Sequence, residues 1–176
     1  MGTMTRMGYV ATFDAGTTAV KAVLTTEDGG IVVSCTSEDI PLSTRGGMQE
    51  QNPHDWWKAL LQTTREMLRQ AAQSRPAFDT SDILGVIMSG QMQDVIMLDE
   101  NLTPVRPAIL YADGRAGLEA RQMAQTVGAE RFRDLTGNQL EGSLPLPKLM
   151  SPQRHEPGNF ARPRPVPFAA QDYLLA

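Results

Sequence analysis

The sequence has 176 residues, enough for one ordinary domain with a core of its own, so neither a disulfide nor a metal staple is required to hold it. Hydrophobic residues make up 41% and charged residues 20%, which excludes wholesale disorder. Sixteen Lys and Arg against twenty Asp and Glu give a net charge of −4, leaving no basic surplus for a dedicated nucleic-acid binder.

Cys35 is the one cysteine, so an internal disulfide and a multi-thiolate metal site are both excluded. No apolar run approaches the length of a membrane span, and the opening MGTMTRMGYV lacks a signal-peptide core. A reducing, cytoplasmic setting is the expectation. Residues 1–7 are expected to be a disordered tail, with the ordered pattern starting at Gly8.

Residues 9–38 predict three strands joined by short connections, an antiparallel meander. Tyr9–Phe13 is a β-prone run that ends at Asp14. Val20, Ala22 and Leu24 alternate as a half-buried strand does. Glu27-Asp28-Gly29-Gly30 is a hairpin turn, and Ile31–Cys35 is the third strand. Residues 39–51 are polar and read as irregular.

A helix follows. Asn52 suits the N-cap, Pro53 the first helical position and Asp55 the first turn. Trp57, Leu60, Leu61, Thr64, Leu68 and Ala71 recur at helical spacing and predict the buried face. Trp56 and Trp57 are adjacent, so only one of them can face fully inward.

The run ILGVIMS at 83–89 is apolar throughout and of strand length, a pattern that predicts a central strand buried on both faces. Residues 95–98 and 105–110 predict a short hairpin around Asp99-Glu100-Asn101. Residues 115–127 predict a helix with Leu118, Met123 and Val127 toward the core, and 129–135 a shorter one. Beyond Asn138 the signal weakens under prolines at 145, 147, 152, 157, 163, 165 and 167. The order β-β-β-α-β is not that of a dinucleotide-binding βαβ fold, and neither GxGxxG nor GxxxxGK[ST] occurs.

The chemistry-bearing stretch is Asp14-Ala15-Gly16-Thr17-Thr18-Ala19-Val20-Lys21. A carboxylate at a strand's end can orient hydrated Mg²⁺, and amides freed by a tight turn can cradle an anion. An ordinary hairpin, with Asp and Gly serving turn chemistry, explains the same residues. Met88, Met92 and Met97 read as adaptable core filler, and His54 and His155 as solvated.

Residues 9–24 resemble the first phosphate motif of the FGGY carbohydrate kinases, whose repeated domain also begins β-β-β-α-β. Gln49-Glu50-Gln51-Asn52-Pro53 with Trp56-Trp57 resembles the family's "EQDPEQWW". Ser89-Gly90-Gln91-Met92 resembles the "GQMHG" sugar-binding turn of the family's xylulokinase branch. Residues 106–115 resemble "RPAILWNDGR". Thr136-Gly137-Asn138, Leu146-Pro147-Lys148-Leu149 and Arg154-His155-Glu156-Pro157 match later landmarks, and Asp172-Tyr173-Leu174 resembles "KDYL".

The resemblance implies an α/β fold of the ribonuclease H-like, actin/hexokinase-type ATPase class, with residues 8–176 a partial sugar-binding N-terminal domain and the nucleotide domain absent. It implies ATP-dependent phosphorylation of a sugar hydroxyl on a xylulose-like pentulose or related polyol, with ATP and Mg²⁺ as cofactors. It assigns Asp14 to the metal and the transferring phosphate, and Gly16, Thr17, Thr18 and Lys21 to the phosphate loop. Gln91, Met92 and Gln93 fall in the sugar-contacting turn, with Tyr111 and Asp113 near it.

Gln93 stands where the family has histidine, and Asp94 where it has glycine. Glutamine hydrogen-bonds but does not titrate near neutral pH. These changes support an alternative: a non-catalytic sugar-binding or interaction module with the kinase fold. The family's general base lies beyond Ala176, so the chain alone is expected to be inactive, its partners being a sugar and the missing C-terminal half. Prolines 163, 165 and 167 replace an apolar family strand, and a central strand there is not expected.

Overall fold

The computed structural model describes residues 7–161 and 165–176. Residues 1–6 of the expected tail at 1–7, and the proline at 163, lie outside the described residues. The chain divides into two compact units, residues 1–40 with 55–90, and residues 41–54 with 91–176.

The first unit is built on the predicted meander. Strands β1 (Tyr9–Ala15), β2 (Val20–Thr26) and β3 (Ile31–Thr36) pair antiparallel, and β6 (Ile83–Gly90) joins β1 in parallel, giving the order β3-β2-β1-β6. Tyr9, Ala11, Phe13 and Ala15 alternate inward along β1, as a strand with one fully covered face requires. Gly29, at φ +90°, turns the β2–β3 hairpin where a side chain would be strained.

Helix α1 (Pro53–Ser74) starts as its sequence predicts, the Asn52 side chain accepting the His54 amide at 3.1 Å. Its buried face is rotated from the predicted one. Trp56, Leu60, Thr63, Met67 and Ala71 are buried, whereas Trp57 and Leu61 face solvent. Thr63 tolerates burial because its hydroxyl donates to the Ala59 carbonyl at 2.7 Å, so a polar residue occupies the core face and the apolar count misleads.

The run at 83–89 is a strand but not a central one. Among the described residues β6 is a sheet edge, and Leu84, Val86 and Ile87 are exposed at 67%, 62% and 58%. Apolar composition reports what a strand is suited to be covered by, and nothing described here covers its outer side.

The second unit holds elements that polarity had hidden. Residues 39–51, expected to be irregular, contain β4 (Ser43–Arg45) and β5 (Met48–Gln51), a hairpin turned by Gly46 and Gly47 at positive φ. Strand β7 (Ala108–Ile109) pairs with β5. The predicted 95–110 hairpin is present as bridges, Val95 with Ile109 and Leu98 with Pro104, around the turn at Asp99.

Helix α2 (Gly117–Val127) and helix α3 (Ala129–Thr136) lie where expected. The predicted core face of α2 holds in part at Met123, which is half-buried, and fails at Leu118 and Val127, which are exposed, while Glu119 and Ala120 are buried. Glu119 accepts a hydrogen bond from Arg154 at 3.2 Å, and this pairing permits a carboxylate on the inner face.

Three further helices stand in the proline-rich region: α4 (Pro145–His155), α5 (Pro157–Phe160) and α6 (Ala170–Leu174). Pro145 and Pro157 open their helices, where a missing amide costs nothing. The prolines at 165 and 167 do not enter a strand. Their carbonyls accept the amides of Leu98 and Ile96, a one-sided ladder that demands no donor from proline.

Candidate functional site

In the first unit, Asp14 sits near the end of β1, half-buried, in register with Lys21 of β2 on one side and Ser89 of β6 on the other. The Ser89 hydroxyl donates to Asp14 Oδ1 at 3.1 Å. Strand pairing thus brings together a carboxylate, a hydroxyl and a solvent-exposed lysine. The loop from Gly16 to Ala19 follows directly.

Gly16 has no left-handed backbone; its amide is taken by the Ala19 carbonyl at 3.2 Å, and an added Cβ would approach that oxygen to 3.3 Å. The glycine therefore serves tightness rather than conformational freedom, and its own N–H is committed to closing the turn. Thr18 is exposed and its carbonyl accepts the Ile40 amide at 2.7 Å; Thr17 is half-buried.

In the second unit the predicted sugar turn is displayed outward. Met92 and Gln93 are exposed and Gln91 is half-buried, its side chain donating to Gln51 Oε1 at 3.2 Å. Gln93 adopts φ +66°, a left-handed conformation uncommon for a residue with a side chain. Met92 bridges to Ala169, and the Gln91 carbonyl accepts the Ala170 amide at 2.9 Å.

Tyr111 is 44% exposed, but Asp113 is fully buried. Asp113 Oδ1 accepts the Arg115 amide and Nε, each at 2.9 Å; Oδ2 accepts the Gln49 amide at 2.6 Å and Arg115 Nη2 at 2.8 Å. Burial opposes its charge, yet these bonds outweigh burial and hold the carboxyl below the usual range. Asp113 thus has no oxygen turned to solvent and acts on its surroundings through the backbone it holds.

Arg115 continues to Glu50 at 2.6 Å, Glu50 also pairs with Arg106, and Arg106 pairs with Glu156. This network joins β5 to residues 106–115 and to the start of α5. The residues lie in motifs visible in the sequence, but their partners are 50 to 65 positions away and spacing does not pair them.

Two charged residues that sequence reasoning left without a site role lie beneath the sugar turn. Asp94 and Lys148 are both completely buried. Asp94 Oδ1 accepts the Tyr111 amide at 2.9 Å, and Oδ2 has no hydrogen-bond partner among the described residues. Burial pushes this carboxyl up to about 7, against the pull of the Tyr111 amide and Lys148. Lys148 Nζ donates to the Gln93 carbonyl at 2.5 Å and the Leu110 carbonyl at 2.8 Å. Burial pushes the amine down to about 8, with Asp94 and Asp113 pulling upward and Arg115 downward.

Among the described residues no group of three His, Cys, Asp or Glu stands ready to enclose a metal, and no helix is long and apolar enough to cross a membrane.

The model of the N-terminal domain of the FGGY family of carbohydrate kinases matches residues 9–176. The chain is 34% identical over 161 residues to a xylulose kinase from Klebsiella pneumoniae, covering 92% of this chain and 31% of the relative. It is 32% identical over 142 residues to a gluconokinase from Bacillus subtilis, covering 80% of this chain and 26% of the relative. Among solved structures, the xylulose kinase from Rhodospirillum rubrum superposes with a TM-score of 0.82 at 29% identity, covering 95% of this chain and 33% of that one. The xyloylose kinase from Brucella ovis gives 0.80 at 33% identity, covering 97% of this chain and 34% of that one. The chain spans about a third of the length of these relatives, and its fold is theirs, the mixed α/β fold of the actin/hexokinase-type kinases. It belongs to the FGGY family of carbohydrate kinases, in the region of the N-terminal domain.

Proposed function

We propose that this chain supplies the phosphate-facing loop and part of the sugar site of a kinase that phosphorylates a pentulose such as xylulose. The observation that carries this reading is Asp14, held at the end of β1 by Ser89 and followed by the tight Gly16–Ala19 turn, in a chain of this family. Relatives named xylulose kinase favour a pentulose, and the gluconokinase makes a sugar acid the substrate to exclude.

The residues present fit Mg-ATP. A half-buried carboxylate near a strand's end suits Mg²⁺, which keeps several waters and takes one or two protein oxygens beside the phosphates. When bound, Mg-ATP supplies the phosphoryl group and neutralises its charge. Asp14 would hold the hydrated ion, Ser89 would fix the carboxylate's orientation, and Lys21 with the 16–19 loop would face the phosphates. In the second unit, Gln91, Met92, Gln93 and Tyr111 would meet the sugar, with Asp113 setting the backbone of its segment.

Phosphoryl transfer depends on positioned groups from both substrates' sites. This 176-residue chain, a third of its relatives' length, is expected to bind sugar without transferring phosphate. The test is calorimetry with D-xylulose and D-gluconate, beside a coupled assay for ADP release. Saturable xylulose binding without turnover is the expected result, and the absence of sugar binding overturns the reading. A second reading, a sugar-binding module of a non-catalytic protein, draws on Gln93, which has no proton to exchange near neutral pH. Binding that persists with no turnover in a longer, two-domain form of the protein would favour it.

A further inference from the structure

We propose that Lys148 is a positioning residue for the sugar site: its buried ammonium ties the backbone of the Gln91–Gln93 turn to that of the Leu110–Asp113 segment. The inference rests on the reading above that these two segments meet the sugar. No sequence motif assigns Lys148 this role.

Both carbonyls that Lys148 holds belong to those segments. Nζ reaches Gln93 O at 2.5 Å and Leu110 O at 2.8 Å from a side chain with no solvent exposure. Asp94 spans the same two segments, its Oδ1 accepting the Tyr111 amide at 2.9 Å. The segments are thus joined by a cation to two carbonyls and by a carboxylate to an amide. Asp113 balances the ammonium's charge, Asp94 does so only once it ionises near pH 7, and Arg115 opposes it.

The clamp explains the backbone of Gln93. A left-handed conformation at a glutamine is unfavourable and persists only where its surroundings fix it. The carbonyl that Lys148 captures is that residue's own. With the carbonyl held inward, the Gln93 and Met92 side chains are presented to solvent, which is the orientation a sugar-contacting turn requires. An ammonium suits the task because one compact group can serve two acceptors on different segments.

The test compares Lys148→Met, Lys148→Arg and Phe160→Ala. Phe160 packs against the cluster of Val95, Met97 and Ile109 in the same unit, so its truncation lowers stability without touching the clamp. The expected results are at least a tenfold loss of D-xylulose affinity in K148M, a smaller loss in K148R, which keeps the charge and donors in a bulkier group, and wild-type affinity in F160A despite a lower Tm. Wild-type affinity in K148M overturns the proposal, as does an equal loss in an equally destabilised F160A. Backbone amide exchange supplies a readout independent of the ligand. K148M should lose protection at Asp94, Val95 and Tyr111 while β1 and β2 keep theirs, and unchanged exchange at those amides overturns the proposal. Should the wild-type chain bind neither xylulose nor gluconate, the substrate reading fails and the exchange result alone decides the clamp.

Discussion

The carboxylate of Asp113 and the backbone amide of Gln49 meet at 2.6 Å across 64 positions of sequence. That contact and the Arg115 fork fill both carboxylate oxygens in a site with no solvent exposure. Removing this carboxylate leaves the buried Gln49 amide and the Arg115 donors without the acceptor they share, although Arg115 keeps Glu50. Asp113→Ala is therefore expected to cost about 3–5 kcal/mol. Urea unfolding followed by exchange at the amides of Gln49 and Arg115 measures it, and a loss below about 1 kcal/mol would contradict the assignment. Because the folded carboxyl titrates below its usual 3.8, its contribution is present above that pH and lost as the pH falls through the lower folded value.

Asp94 predicts the opposite pH dependence. Its folded carboxyl titrates near 7 rather than 3.8, so its contribution is full below 3.8 and is lost as the pH rises through 7. Lys148 titrates near 8 when folded, against 10.5 ordinarily, and its own change lies above that window. The Asp94→Asn variant should therefore gain on the wild type between pH 4 and pH 7, by on the order of 1 kcal/mol per pH unit, and then level off. Paired denaturation curves at half-unit intervals check it. A stability difference that does not vary with pH would show that Asp94 is ionised throughout.

These two residues also show how far a sequence carries an argument. The meander, α1 and its cap, α2 and α3 were legible because local signals set them: alternation, an Asn-Pro start, glycines at turns. The family was legible because motifs such as residues 106–115 stand in order. What stayed hidden depends on partners distant in sequence. The burial of Glu119 rests on Arg154, that of Lys148 on two carbonyls, and that of Thr63 on a bond back to its own helix, so polarity pointed each outward. The β4–β5 hairpin stayed hidden because its strand residues other than Met48 are polar or charged and little in it is buried.

Strand β6 offers a prediction about behaviour in solution. Among the described residues it is an eight-residue sheet edge carrying the exposed Leu84, Val86 and Ile87. Such edges template association. Val86→Lys should reduce self-association of the 176-residue chain while changing stability by no more than about 0.5 kcal/mol, since the side chain is 62% exposed. Sedimentation velocity over a concentration series reads the effect. Equal association in both proteins would place the contact elsewhere.

Gly16 separates the fold from the proposed phosphate chemistry. Its φ is not positive, so the usual penalty for replacing a left-handed glycine does not arise. The obstacle is contact: a methyl group would sit 3.3 Å from the Ala19 carbonyl, which must yield by a few tenths of an ångström. Gly16→Ala is expected to change stability by less than about 1 kcal/mol, with the sheet intact by circular dichroism. The small loop shift falls directly after Asp14, where positioning matters most to an anion, and a misplacement of this size is costly only to a site built on geometry. In a longer, two-domain form of the protein, Mg-ADP affinity by calorimetry should therefore fall several-fold more than the stability change explains. Unaltered nucleotide affinity in a well-folded G16A protein would remove the Gly16 turn from the phosphate site.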